Sequence, residues 1–171
     1  MACSDINAGR LRACKDSLGG NSVLYLYNSL EDAFTVVDGE ATAMSASLTA
    51  AYKFELEGDG NTLEESFVGD RNTGTSVNTQ TLTIVLKKPD AATNAQFNLL
   101  VKGYPQAVVV DRNGNYRAIA LDDGLDFTVV ESTGGAKTDL NGYTLTGVAT
   151  TGDLAPFLDS ATQSAFLAVV V

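Results

Sequence analysis

The sequence predicts a mainly β fold, a β-sandwich or barrel with one flanking α-helix, as a single domain over residues 1–171. Three observations carry that expectation. Apolar and polar side chains alternate over Tyr52–Glu57, Val77–Lys88 and Tyr143–Ala149, which is the two-residue period of a half-buried strand. Turn signals rich in Gly, Asn and Asp recur at short intervals. Only the stretch from Pro89 to Gly103 has helical spacing. Many short strands with one helix pack as layers around a core.

The elements follow in order. Residues 1–20 lack periodicity and read as an extended arm, with Arg10, Arg12 and Lys15 supplying charge and Gly19-Gly20 forming a hinge. Strands are expected at Val23–Tyr27, Ala33–Val37 and Leu48–Glu57. Gly58–Asn61 is a turn, and Thr62–Val68 returns from it. A polar loop, Gly69–Ser76, leads to a strand with Leu82, Ile84 and Leu86 on one face and Thr81, Thr83 and Val85 on the other. Residues 90–102 form the expected helix. Asp90 caps it, Phe97, Leu100 and Val101 make its apolar stripe, and Gly103 suits a left-handed ending. Gln106–Asp111 and Tyr116–Leu121 flank an Asn-Gly hairpin turn. Further strands are expected at Phe127–Glu131 and Tyr143–Ala149, then a short helix near Ala155–Ser160 and a last apolar strand.

Composition narrows the function. Eleven basic against 21 acidic residues give a net charge of −10, the opposite of the basic face of a sequence-reading nucleic-acid binder. An acidic surface suits a conduit along which a polyanion slides without sticking, because no counterion-release binding develops. No apolar run is long enough to span a membrane, and no apolar segment of a secretory signal follows the first basic residues. Cys3 and Cys14 are expected as free thiols in a protein folded inside the cell.

The chain has no histidine, which removes Ser-His-Asp triads, Cys-His dyads and most transition-metal sites, so neither an enzyme nor a cofactor is expected. Cys14 beside Lys15 therefore lacks a base. Glu55 with Glu57, Glu64-Glu65 and Asp122-Asp123 read as solvated faces and turns rather than acid/base pairs. Gly134–Thr138 lacks the glycine that a phosphate loop needs before its lysine. Asp111–Asn115 has its glycine at the wrong place for a calcium loop. Arg10 and Arg12 suit docking on the acidic surface of a neighbouring copy.

Four segments in order, Ala13–Asn28 (ACKDSLGGNSVLYLYN), Tyr52–Phe67 (YKFELEGDGNTLEESF), Gly103–Asp126 (GYPQAVVVDRNGNYRAIALDDGLD) and Leu140–Thr150 (LNGYTLTGVAT), resemble tail tube proteins of tailed bacteriophages, those infecting Bacteroidota above all. The resemblance implies a tail-tube-like sandwich whose copies form stacked, hexameric rings around a DNA conduit in the virion tail, made in the cytoplasm of a bacterial host. It implies a long hairpin over residues 48–88 and a terminal arm that reach the next ring. Arg10, Arg12, Lys15, Arg71 and Asn72 are the implied self-assembly contacts. The implied partners are other copies, further tail proteins and DNA passing without sequence-specific binding, with no membrane. It assigns no role to the apolar ending after Gly152. A capsid decoration or head–tail connector subunit stays open, and so does a carbohydrate-binding or glycan-cleaving β-sandwich.

Overall fold

Two strands of the chain, Asn21–Tyr27 and Gln106–Asp111, hold the uninterrupted apolar runs Val23–Tyr27 and Ala107–Val110, so a sheet that contains them needs cover on both faces. The computed structural model describes residue 6 and residues 8–171 and supplies both covers. Cys3 and the start of the expected arm lie outside the described residues.

The strands are β1 (Asn21–Tyr27), β2 (Phe34–Val37), β3 (Glu40–Met44), β4 (Tyr52–Glu55), β5 (Thr62–Asp70), β6 (Thr75–Lys87), β7 (Gln106–Asp111), β8 (Tyr116–Ile119), β9 (Asp126–Ser132), β10 (Gly142–Thr151) and β11 (Phe157–Leu158). The helices are α1 (Ala91–Leu100) and α2 (Ser160–Leu167). A seven-stranded sheet runs β2-β3-β11-β8-β7-β1-β4, and a four-stranded sheet runs β5-β6-β10-β9. The protein is a mainly β sandwich with α1 on its flank.

The side-chain period of two sorts the core. Leu24, Leu26, Ala107 and Val109 point from the large sheet toward the small one, where they meet Leu82, Ile84, Phe127 and Leu145. Tyr25, Tyr27, Val108 and Val110 point the other way, onto Phe166 of α2 and onto Leu48 and Ala51. Phe166 is fully buried, with ring centroids 5.3 Å from Tyr25 and 6.3 Å from Tyr27. Burial pushes the Tyr27 hydroxyl pKa up. Helix α1 lies where the sheets part. Its Phe97 meets Phe54 of β4 at 6.4 Å and Tyr143 of β10 at 4.9 Å.

Several expectations need correction. Residues 48–88 are not one hairpin. Tyr52–Glu55 pairs with β1 in the large sheet, and only β5 and β6 pair with each other, closing at Arg71–Gly74. Leu48–Ala51 is not strand. It packs under the C-terminal segment, where Ala51 N–H donates to the Val169 carbonyl. The helix spans Ala91–Leu100 rather than 90–102. Phe97 alone of its stripe is buried, and Gly103 has no left-handed backbone. The second helix begins at Ser160, not near Ala155, because Asp159 caps it by accepting from Thr162 N–H at 2.7 Å. The last residues form only a bridge, Ala51 to Val170.

Strand β3 was not expected. It pairs with β2 across Asp38-Gly39, both at positive φ, the turn an Asp-Gly pair favours. The Asn113-Gly114 hairpin is present but uses a three-residue loop with only Gly114 at positive φ.

Phe166→Ala is expected to lower unfolding stability by about 3–5 kcal/mol, the cost of emptying a large buried site, read by urea denaturation. Thr93, through its hydroxyl and its N–H, holds the Asp90 carboxyl below its ordinary value. Thr162, through its N–H and then its hydroxyl, does the same for Asp159. Stability linked to a lowered pKa is present above the unfolded value and is lost as pH falls through the folded one. The melting temperature is therefore expected to drop on acidification below about pH 4. Asp159→Asn keeps an acceptor but cannot titrate, so its melts should show a shallower drop.

Candidate functional site

The small sheet buries one face and leaves the other open. By register, Thr83 stands level with Thr62, Thr146 and Thr128, and Thr81 with Glu64, Val148 and Asp126. This open face is rich in Thr and Val. Its charges are Glu64, Asp70 and Asp126 with Lys87. Both edges of the sheet, β5 and β9, lack a partner strand among the described residues. Val85 N–H points toward the β5 side, donating to Asn61 Oδ1 at 2.9 Å. Alternation carried across the registers then turns the backbone groups of Leu63, Glu65 and Phe67 outward on β5, and those of Phe127, Val129 and Glu131 outward on β9.

Beyond Asn78, the last β6 residue paired with β10, the β5–β6 hairpin projects alone by about 10 Å. Phe67 and Val68 are 48 % and 62 % exposed there, and Val77 is also exposed. Arg71 and Asn72 sit in the four-residue turn at the tip. Both are exposed, and Asn72 N–H is held by Asp70 Oδ1 at 2.7 Å.

Residues 8–20 form neither helix nor strand and are exposed, Arg10, Arg12, Lys15 and Cys14 among them. The segment is anchored late. The Asn113 side chain accepts from Leu18 N–H at 2.9 Å and donates to the Leu18 carbonyl at 2.8 Å, and Arg112 N–H donates to the Gly20 carbonyl at 3.1 Å. The hairpin turn of β7–β8 thus clamps the root of the arm. Asn21 N–H donates to the Asn61 carbonyl at 3.1 Å, so that root lies beside the start of β5, about 27 Å along the strand from the Arg71 tip. One copy does not bring Arg10, Arg12 and Lys15 together with Arg71 and Asn72.

Arg10 instead borders a groove of about 690 Å³ between the start of β5 and the facing side of β7, β8 and β11. Arg117 lines it, its guanidinium carbon 4.6 Å from the centre of the Phe157 ring. Arg117 Nε is buried without a hydrogen-bond partner, and neither Arg10 nor Arg117 forms an ion pair among the described residues. The Asp111 carboxylate nearby is occupied by the turn. Partial burial opposes its ionisation, but bonds from Asn115 and Asn113, with Arg117 close by, hold its pKa below the ordinary value.

A polar knot ties the C-terminal segment to the sandwich. Glu65 Oε1 accepts from Asn78, Gln80 and Ala155 N–H at 2.9, 2.9 and 2.8 Å, and Gln80 Oε1 accepts from Ala120 N–H at 2.7 Å. Glu65 therefore serves packing rather than proton transfer. No group of three or more metal-ligating side chains occurs among the described residues.

Comparison with protein-family models, curated proteins and solved structures gives no match for this chain. Sequence reasoning placed Arg10 in the arm but missed Arg117 and Phe157, which lie 40 residues apart and meet only through pairing of β8 with β11. It also missed the Asn113 clamp, whose one visible sign was a polar residue in a turn.

Asn113→Ala removes both bonds to Leu18. Limited trypsin digestion is expected to cut after Lys15 several-fold faster in this variant, read by mass spectrometry. An unchanged rate would mean that the clamp does not hold the arm.

Proposed function

We propose that the chain is a structural subunit of a bacteriophage tail tube, assembling into stacked six-fold rings around a DNA conduit. One observation carries this reading: the small sheet has an even number of strands in antiparallel order, two unpaired edges and one uncovered face. Because β5 and β9 run in opposite directions, the β9 edge of one copy meets the β5 edge of the next antiparallel when all copies face the same way. A head-to-tail contact of that kind closes into a ring by rotation alone, and closure removes both edges. The open face then lines the ring, because the large sheet covers the other.

The lining is compatible with a passage. Thr and Val offer no cationic phosphate grip, and Glu64, Asp70 and Asp126 outnumber Lys87 on that face. Six copies give about 24 strands, a barrel roughly 45–50 Å across at the backbone for ~4.8 Å strand spacing and ~40° tilt. The projecting hairpin with Phe67, Val68 and Val77, and the arm with Arg10, Arg12 and Lys15, are the surfaces available for contact between rings. This role requires no catalytic group and no cofactor. Among the described residues no helix is long and apolar enough to cross a membrane. In this reading the protein is made in the cytoplasm of a bacterial host and resides in the virion tail.

Electron microscopy of the concentrated protein is expected to show six-fold rings and tubes. Particles that stay monomeric at high concentration would overturn the reading, and rings that never stack would favour a connector subunit. Removing residues 1–17, which spares the Leu18 clamp, is expected to leave rings that stack less firmly.

A further inference from the structure

We propose a specific register for the contact between copies: Glu131 of β9 stands opposite Leu63 of the next copy's β5, and its carboxylate enters the groove bordered by Arg10 and Arg117. This rests on the ring reading above and specifies the contact that would close it.

Three constraints select the register. The first is face. Glu131 pairs with Tyr143 on the side of the small sheet that looks toward the large sheet, and Leu63 lies on that same side opposite Leu82. Antiparallel partners share a face, so Glu131 can stand only opposite an odd-numbered residue of β5. The same parity matches the outward-turned backbone groups of both edges.

The second is stagger. Followed straight across the sheet, Thr62 lies level with Thr83, Thr146 and Thr128. A closed barrel tilts its strands, and one residue of stagger per strand corresponds to a tilt of about 36°. Four strands per copy then move the facing residue from Thr128 to about four residues further along, Ser132. That puts Glu131 opposite Leu63 and overlaps the whole of β9 with β5.

The third is charge. The unstaggered register sets Asp126 against Glu64, and a shift two residues beyond the proposed one sets Glu131 against Glu65. Like charges directly opposite are destabilising. In the proposed register Asp126 faces Val68, Glu131 faces Leu63, and exposed Phe67 faces Phe127, an apolar cross-strand pair.

Groove chemistry agrees with that choice. Leu63, Arg10, Arg117 and Phe157 line it. Among the described residues its two guanidinium groups have no ion pair, and the Asp111 carboxylate is already bonded within its turn. Glu64 also lines the groove, but by register it stands on the opposite face of β5 from Leu63 and forms no ion pair there. On its own copy Glu131 is exposed at the sheet edge, lines a cleft together with Lys102, and forms no ion pair among the described residues. Edge pairing therefore brings the Glu131 carboxylate to the Arg10 and Arg117 guanidinium groups, the charge pairing that favours charge-assisted hydrogen bonds.

The test uses cysteine pairs in the full chain with Cys3 and Cys14 replaced by serine. Thr62→Cys with Ser132→Cys joins a non-hydrogen-bonded pair, whose Cα spacing of about 4.5 Å suits a disulfide. Oxidation is expected to give a covalent ladder on a denaturing gel. Thr62→Cys with Thr128→Cys, and Glu64→Cys with Ser132→Cys, report the competing registers and should stay monomeric. In parallel, Glu131→Arg is expected to weaken assembly at least tenfold in sedimentation, and the charge swap Glu131→Arg with Arg117→Glu to recover most of it. Circular dichroism melts check that each variant folds. Rings that form while a competing pair ladders, or while Glu131→Arg assembles normally, would overturn the register and leave the ring reading standing. A parent chain that forms no rings would overturn both.

Discussion

Burial of β1 and β7 on both faces is the constraint from which the rest of this structure follows. Strands that are apolar on both sides are stable only with a layer above and a layer below. The small sheet provides one cover, and α2 with the C-terminal residues provides the other. The apolar ending, which the family resemblance left without a role, is thus the lid of the second core. Leu26 and Tyr27 are neighbours in sequence, yet they belong to different cores.

The same constraint decides which surfaces stay open. With both faces of the large sheet occupied, no element among the described residues is left to cover the outer face of the small sheet. Its Thr-rich composition tolerates water, so exposure costs little there. Its edges are different, because each presents a row of unpaired backbone donors and acceptors. The polar knot at Glu65 keeps the β5 edge rigid relative to the large sheet, since it joins β5, β6 and the segment leading into β11. An edge held in that way is preorganised for pairing, which reduces the ordering cost of association.

Much of the fold was legible because local physics governs it. The strands β6, β7, β9 and β10 follow from alternation or apolar runs, and the start of α1 follows from Asp90 as an N-cap. The misreadings share one cause. Tyr52–Glu55 alternates as β6 does, so periodicity marked it only as a strand and the family resemblance joined it to the hairpin, although it pairs with β1. Glu40–Met44 has weak strand propensity and is strand because β2 and β11 flank it. Helix α2 has a cap signal at Asp159, but the apolar residues after it also suited a strand.

The sequence alone determined the mainly β class, the single long helix with its cap, the acidic balance and the lack of histidine, because each depends on composition or on residues a few positions apart. Only the tertiary structure decided that two cores lie on opposite faces of β1 and β7, that β5 and β9 remain as edges, and that Arg117 and Phe157 meet beside Arg10. Those features depend on which distant strands pair, and pairing is chosen by burial of whole faces at once, a quantity that no local window of sequence contains.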